Sequence, residues 1–187
     1  MAPKRLSTEE TAMRKLIFVA ALGLAACTTS AGRVTTTTLT AADAATSLAV
    51  GEQIFVERGQ ARQASEGMDP VVPLTLRHAD GRTLNFQQGN HTPHDLAAQR
   101  PDGPLAQLMG LMGGETPVLY NATRTGNRGA PFICGPEGPA AIGYYEADGA
   151  AMIVGLKQAI SFETLPSGEL NPIPYSPDQV CARLRFR

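Results

Sequence analysis

The sequence predicts a mainly β domain: a small antiparallel β-sandwich or barrel with one or two short helices, with an α+β arrangement as the alternative. Two observations carry this. Short apolar segments alternate with polar residues at a period of two and are punctuated by Gly, Pro and Asp. Two pairs of such segments flank an Ala-Asp-Gly turn, at 79–81 and at 147–149. Asp-Gly supplies the positive φ of a tight hairpin. The flanks of the two turns do not match each other, so the repeat reflects common turn chemistry and not duplication.

The first element in order is Met13 to Cys27. Arg14 and Lys15 form a short positive region, and the 11 residues Leu16 to Ala26 are uncharged and mostly apolar. A membrane-spanning helix needs about 20 such residues, so this run has the length of a signal peptide. Leu24-Ala25-Ala26-Cys27 resembles the lipobox of bacterial lipoproteins. The resemblance implies cleavage before Cys27 and acylation of that residue, its thiol by diacylglycerol and its new amino group by a fatty acid. It assigns 1–26 to a signal peptide, with Met13 as the expected true start. Several acyl chains together hold far more firmly than one, at about 0.8 kcal/mol per buried methylene. Thr28 at the second mature position, where Asp would favour the inner membrane, points to the outer membrane, periplasmic side. The periplasmic face of the inner membrane is the alternative.

Residues 27–39 read as the lipidated cysteine and a polar tether, although Thr35 to Thr38 also suit a strand. A single periplasmic domain is expected over 40–187. Thr40 to Val50 predicts a short Ala-rich helix capped by Thr40 and ended by Gly51. A strand follows at Gln53 to Arg58, with Ile54 and Val56 on one face, then a polar loop over 59–69. Val71 to Phe86 is the clearest hairpin. Gln87 to Pro104 reads as a long irregular connection. Leu105, Leu108, Met109 and Met112 have helical spacing, stopped by Gly113-Gly114. Strands are predicted at Pro117–Asn121 and Pro131–Cys134, with a loop over 123–129 between them. The second hairpin spans Ala140 to Lys157. Ile160–Leu165 is a further strand, Asn171–Pro177 is extended, and Val180–Phe186 closes the chain as a strand.

Cleavage before Cys27 would leave 161 of the 187 residues and move the formal net charge from −1 to −3. That length suits one domain with a sizeable core. No basic cluster with interleaved aromatics is present, so nucleic acid is not an expected partner. The expected partners are the membrane, through lipid on Cys27, and a periplasmic protein or the cell wall. No cofactor is expected. With Cys27 acylated, Cys134 and Cys181 remain as an even pair in an oxidising compartment, and a disulfide follows. Lys157 is the one lysine beyond the leader. It reads as an ordinary strand-end residue of an arginine-preferring sequence.

Three groups of residues have chemistry to offer. His91-Thr92-Pro93-His94-Asp95 combines metal-ligand types, and His78 adds a third imidazole. This would serve a metal-assisted hydrolase, but Pro93 interrupts a helical ligand pair and surface histidines are the simpler reading. No nucleophile motif such as G-x-S-x-G occurs. In the last strand Ala182, Leu184 and Phe186 form one face, and Cys181, Arg183, Arg185 and Arg187 the other. Arg183 and Arg185 could bind a carboxylate or phosphate, with a solvated face as the plainer reading. Glu146, Asp148 and Glu163 are their possible cross-strand partners. A disulfide at Cys181 requires either that this face be partly covered or that a bulge reset the alternation there. Tyr144 and Tyr145 must point to opposite faces. The reading favoured over the hydrolase is a binding or structural module.

Overall fold

The computed structural model describes residues 34–62, 70–89, 92–111, 113–173 and 177–187. The leader, Cys27 and His91 lie outside these residues. The fold is an eight-stranded antiparallel sheet that curls into a nearly closed barrel. Its strands in order are β1 (Thr35–Thr40), β2 (Gln53–Arg58), β3 (Pro73–His78), β4 (Thr83–Gln88), β5 (Val118–Arg128), β6 (Ala141–Ala147), β7 (Ala150–Leu156) and, after a two-stranded hairpin, β10 (Val180–Phe186). That hairpin is β8 (Phe162–Thr164) with β9 (Leu170–Pro172). Among the described residues three α-helices accompany the strands, one more than the sequence predicts: α1 (Ala44–Val50), α2 (Pro93–Ala98) and α3 (Pro104–Met109).

The seam joins the end of β1 to the end of β10. Ala41 bridges Phe186. Arg187 N donates to Thr40 O at 2.9 Å, and Ala42 N to Arg185 O at 2.9 Å. Above the seam α1 lies against β10. Thr46, fully buried, accepts a hydrogen bond from Arg185 N at 2.9 Å. A helix side chain thus satisfies a backbone donor that sheet pairing leaves over. Asp43, and not Thr40, caps α1 by accepting from Thr46 N. Thr40 instead ends β1, so the folded domain begins before residue 40.

Alternation along the strands fills the barrel. Ile54, Val56, Leu74, Leu76, Leu84, Phe86, Ile142, Ile153, Leu184 and Phe186 all point inward and are buried. The turn of β6–β7 has Asp148 at φ 50° and Gly149 at φ 76°, the pair of positive values a two-residue hairpin loop requires. A second apolar cluster sits outside the wall. Leu105 and Met109 of α3 pack with Leu119, Val154, Leu156 and Ile160. Gly143 makes room for α3: a Cβ there would lie 2.5 Å from Leu105 Cδ1. Gln99 joins this layer to the sheet, accepting from Leu119 N at 3.0 Å and donating to Asp95 O at 3.0 Å.

Several predicted elements need correction. Residues 92–98 are not irregular but form the start and body of α2, because Thr92 and Asp95 make a capping box with Pro93 in the first turn. α3 stops at Gly110, in the left-handed region at φ 68°, and not at Gly113. β5 runs on to Arg128 through the predicted loop, with an irregular register opposite β4. Pro131–Cys134 is not a strand. It bends over the barrel mouth and buries Phe132 and Ile133 against the inner core.

Cys134 and Cys181 are disulfide-bonded, with Cα atoms 4.9 Å apart, inside the range such a link requires. The register of β10 against β7 shifts between Val180 and Ala182. A bulge at Cys181 therefore turns its sulfur away from the arginine face. Gly155 of β7 lies beneath: a Cβ there would meet Cys134 Sγ at 2.6 Å. The cross-link fastens the segment over the mouth to the closing strand.

Candidate functional site

The two ends of the barrel carry its polar side chains of interest. The lower end is closed by an ion pair that spans the lumen. Arg58, on the inward face of β2, donates to Glu146 of β6. Tyr144 Oη donates to the same carboxylate at 2.6 Å, and the Arg58 guanidinium lies 4.8 Å from the Tyr144 ring centre. Tyr120 meets Tyr144 edge-on at 6.5 Å. Burial raises the Tyr144 phenol well above its ordinary range, and its bond to Glu146 adds to this. For Glu146 burial works upward, but the hydrogen bonds from Tyr144 and Arg58 and the arginine charge outweigh it, so the carboxyl titrates low. These groups satisfy one another and form a polar plug.

The upper end holds the stronger candidate. The β3–β4 turn places His78, Asp80 and Arg82 together. His78 Nδ1 lies 2.8 Å from Asp80 Oδ1, and Arg82 Nε donates to Asp80 Oδ2 at 2.7 Å. The Arg82 backbone N–H donates to the same carboxylate at 3.0 Å. Phe132 lies 5.2 Å from the His78 ring and 5.7 Å from the Arg82 guanidinium carbon. That backbone bond, with the side-chain bonds from His78 and Arg82, lowers the Asp80 carboxyl to about 2. Beside this group opens a cleft of about 540 Å³, lined by Arg82, Phe132, Ile133, the disulfide, Arg183 and Leu184 among others. Arg183 reaches from β10 and donates to the carbonyl of Leu108 at the end of α3.

The predicted site residues divide. His78 and Arg183 both come to the upper mouth. Arg185 is exposed and does not line the cleft; its charge acts on Asp43. Neither arginine pairs with the predicted carboxylates: Glu146 is taken by Arg58, and Glu163 accepts from Asn171 at 2.6 Å. His94 stands on the outer layer, its ring stacked at 5.3 Å on Phe162. Asp95 caps α2 and accepts from Asn121 at 3.3 Å. Among the described residues no three His, Cys, Asp or Glu side chains are grouped to hold a metal. Tyr144 is the inward member of its pair, and Tyr145 donates to Glu115 outside. Lys157 is exposed just beyond β7.

Sequence reasoning missed Arg82 and Arg58. Arg58 has a legible signal: it shares the inward parity of Ile54 and Val56, as Glu146 shares that of Ile142 and Tyr144. Opposite charges on core-facing positions at strand ends mark a plug. Arg82 lies just past the predicted turn and has no such signal.

No protein-family model matches this chain, and neither curated proteins nor solved structures give a significant match. Its own side chains therefore carry the functional argument. Among the described residues no helix is long and apolar enough to cross a membrane.

The two lowered carboxyls give a pH prediction. The ordinary values are 3.8 for Asp80 and 4.5 for Glu146. Both titrate lower in the folded chain. The stability they contribute is therefore full above the ordinary values and is lost as the pH falls through the folded ones. The melting temperature is expected to drop between about pH 4.5 and 2. Asp80→Asn with Glu146→Gln should flatten that part of a melting-temperature profile, and an unchanged slope would show that other carboxylates dominate.

Proposed function

We propose that this chain is a lipid-anchored envelope protein, attached through Cys27, whose barrel acts as a periplasmic binding module and not as an enzyme. The observation that carries the binding half is the upper cleft. It is concave, equipped with the fixed polar groups of Arg82 and Arg183, and walled by elements that the disulfide holds in place. Those are the attributes of a ligand site. The anchoring half rests on the resemblance of Leu24-Ala25-Ala26-Cys27 to a lipobox. Thr28 favours the outer membrane, with the inner membrane as the alternative.

Metabolic labelling with a clickable fatty acid tests the anchor. The wild-type chain is expected to take up label and to sediment with outer-membrane density. Cys27→Ser is expected to lose the label completely. Equal labelling of the variant would remove Cys27 as the acylated residue. Affinity capture from envelope extract tests the binding module: a retained component should be lost when Phe132 and Arg183 are both substituted. Retention indifferent to both would place recognition elsewhere on the domain.

A further inference from the structure

We infer that the chain anchored at Cys27 holds the barrel with its plugged lower end toward the bilayer and its disulfide-bordered mouth toward the periplasm, so that a partner reaches the upper cleft from the aqueous side. This rests on the lipid-anchor reading and adds the membrane-facing surface of the domain. Strand pairing fixes which end is which. β1 enters the barrel at Thr35, which pairs with Arg58. Arg58 meets Glu146, and Glu146 leads into the exposed turn at Asp148 and Gly149. The point of entry, the polar plug and the β6–β7 turn therefore share one end. Toward the other end of β2, Ile54 pairs with His78, and the β3–β4 turn follows. Arg82 of that turn faces Phe132, and Cys134, just beyond Phe132, carries the disulfide.

Two lengths decide the orientation. Thr35 is the eighth residue after Cys27. A stretch of that length spans about 29 Å at most in any conformation. As a coil it spans roughly 16 Å. The six residues of β1 run about 20 Å along the barrel wall. The upper mouth thus stands farther from the point of entry than a coil of this length reaches. To bring that mouth to the bilayer, the connecting residues would have to double back along the wall, nearly fully drawn out. A chain drawn out so far has few conformations left, and that entropy opposes the inverted arrangement. With the lower end toward the bilayer no such extension is needed. The bias requires no adhesion of the barrel to lipid, only the shortness of the connection and its point of entry.

Paramagnetic relaxation tests this on the acylated protein, reconstituted in phosphatidylcholine nanodiscs that carry a gadolinium chelate on a lipid headgroup. Relaxation falls with the inverse sixth power of distance, so a rim at about 16 Å and a mouth about 20 Å beyond it should differ by more than about tenfold. The amide signals of Asp148 and Gly149 are expected to broaden most, and those of Asp80 and Gly81 least. Inserting about 15 Gly/Ser residues between Thr29 and Ser30 gives a coil of roughly 26 Å, longer than the wall is tall. The difference between the two ends should then shrink several-fold. Cys27→Ser, added to the same discs, should show broadening at neither end. Equal broadening at both ends, stronger broadening at Asp80 and Gly81, or a difference undiminished by the longer connection would each overturn the inference. Disc-bound protein with equal broadening removes the orientation and leaves the anchor standing. Membrane-extracted protein that does not associate with the discs removes both.

Discussion

Replacing Cys134 and Cys181 together by serine is expected to lower the unfolding free energy by about 4 kcal/mol, and the melting temperature by roughly 10 °C. The cysteines are 47 residues apart. Opening a loop of that length returns substantial conformational entropy to the unfolded chain. The folded state loses less, because Phe132 and Ile133 remain inserted in the core when the link is gone. The double variant should therefore fold to the same barrel at a lower temperature. Hydrogen exchange should show faster opening of residues 129–140 than of β6 and β7. A melt lowered by only one or two degrees would mean that the unfolded chain gains little from release of the loop. Faster exchange throughout the barrel would mean that the cross-link supports the whole sheet and not only its upper mouth.

Phe186→Ala is expected to cost about 3–5 kcal/mol, the range for emptying an aromatic core site. Phe186 is 2% exposed. It bridges Ala41 across the seam and pairs with Ala151 on the other side. The adjacent Arg185→Ala provides the contrast. Its side chain is exposed while its backbone bonds to Thr46 and Ala42 persist, so its cost should stay within about 0.5 kcal/mol. Chemical denaturation of both variants measures the difference. Equal costs would contradict the seam at residues 40–42 and 185–187.

Where each strand face has one consistent environment, the sequence was readable. β3, β4, β6 and β10 each alternate a buried apolar row with a polar or small one, and the Asp-Gly turns set the registers of the β3–β4 and β6–β7 hairpins. β2 was bounded correctly at Gln53–Arg58 for the same reason. Reading failed where tertiary packing, and not local pattern, makes the element. The second half of β5 has Thr, Gly and Asn on a solvent-facing wall, so no apolar row marks it. The α2 segment is only six residues long, and its Leu96, Ala97 and Ala98 follow Pro93 and His94. It is held by its capping box and by packing under β8 and β9, and its histidines drew attention to ligand chemistry in place of capping. Phe132 and Ile133 form an apolar pair that looks like a strand fragment, but they are a plug inserted from above.

The site was half legible for a related reason. Arg183 stood out as part of a row, and His78 as one of three histidines. Their meeting near one mouth depends on barrel closure, which brings the end of β3 close to the start of β10. Arg58 and Glu146 are 88 residues apart, and only the parity argument could have linked them. The bulge at Cys181 was readable as one of two ways to reconcile a disulfide with an arginine face. The register shift in β10 decides between them.

The proposed anchor at Cys27 would give the barrel its place in the cell, and one measurement tests it directly: the intact mass of the protein extracted from isolated membranes. The expected species is a chain that begins at Cys27 and carries the added mass of a diacylglyceryl group, with or without a further acyl chain on its amino group. A chain that retains Met13 to Ala26, or one that begins elsewhere with an unmodified Cys27 thiol, would contradict it.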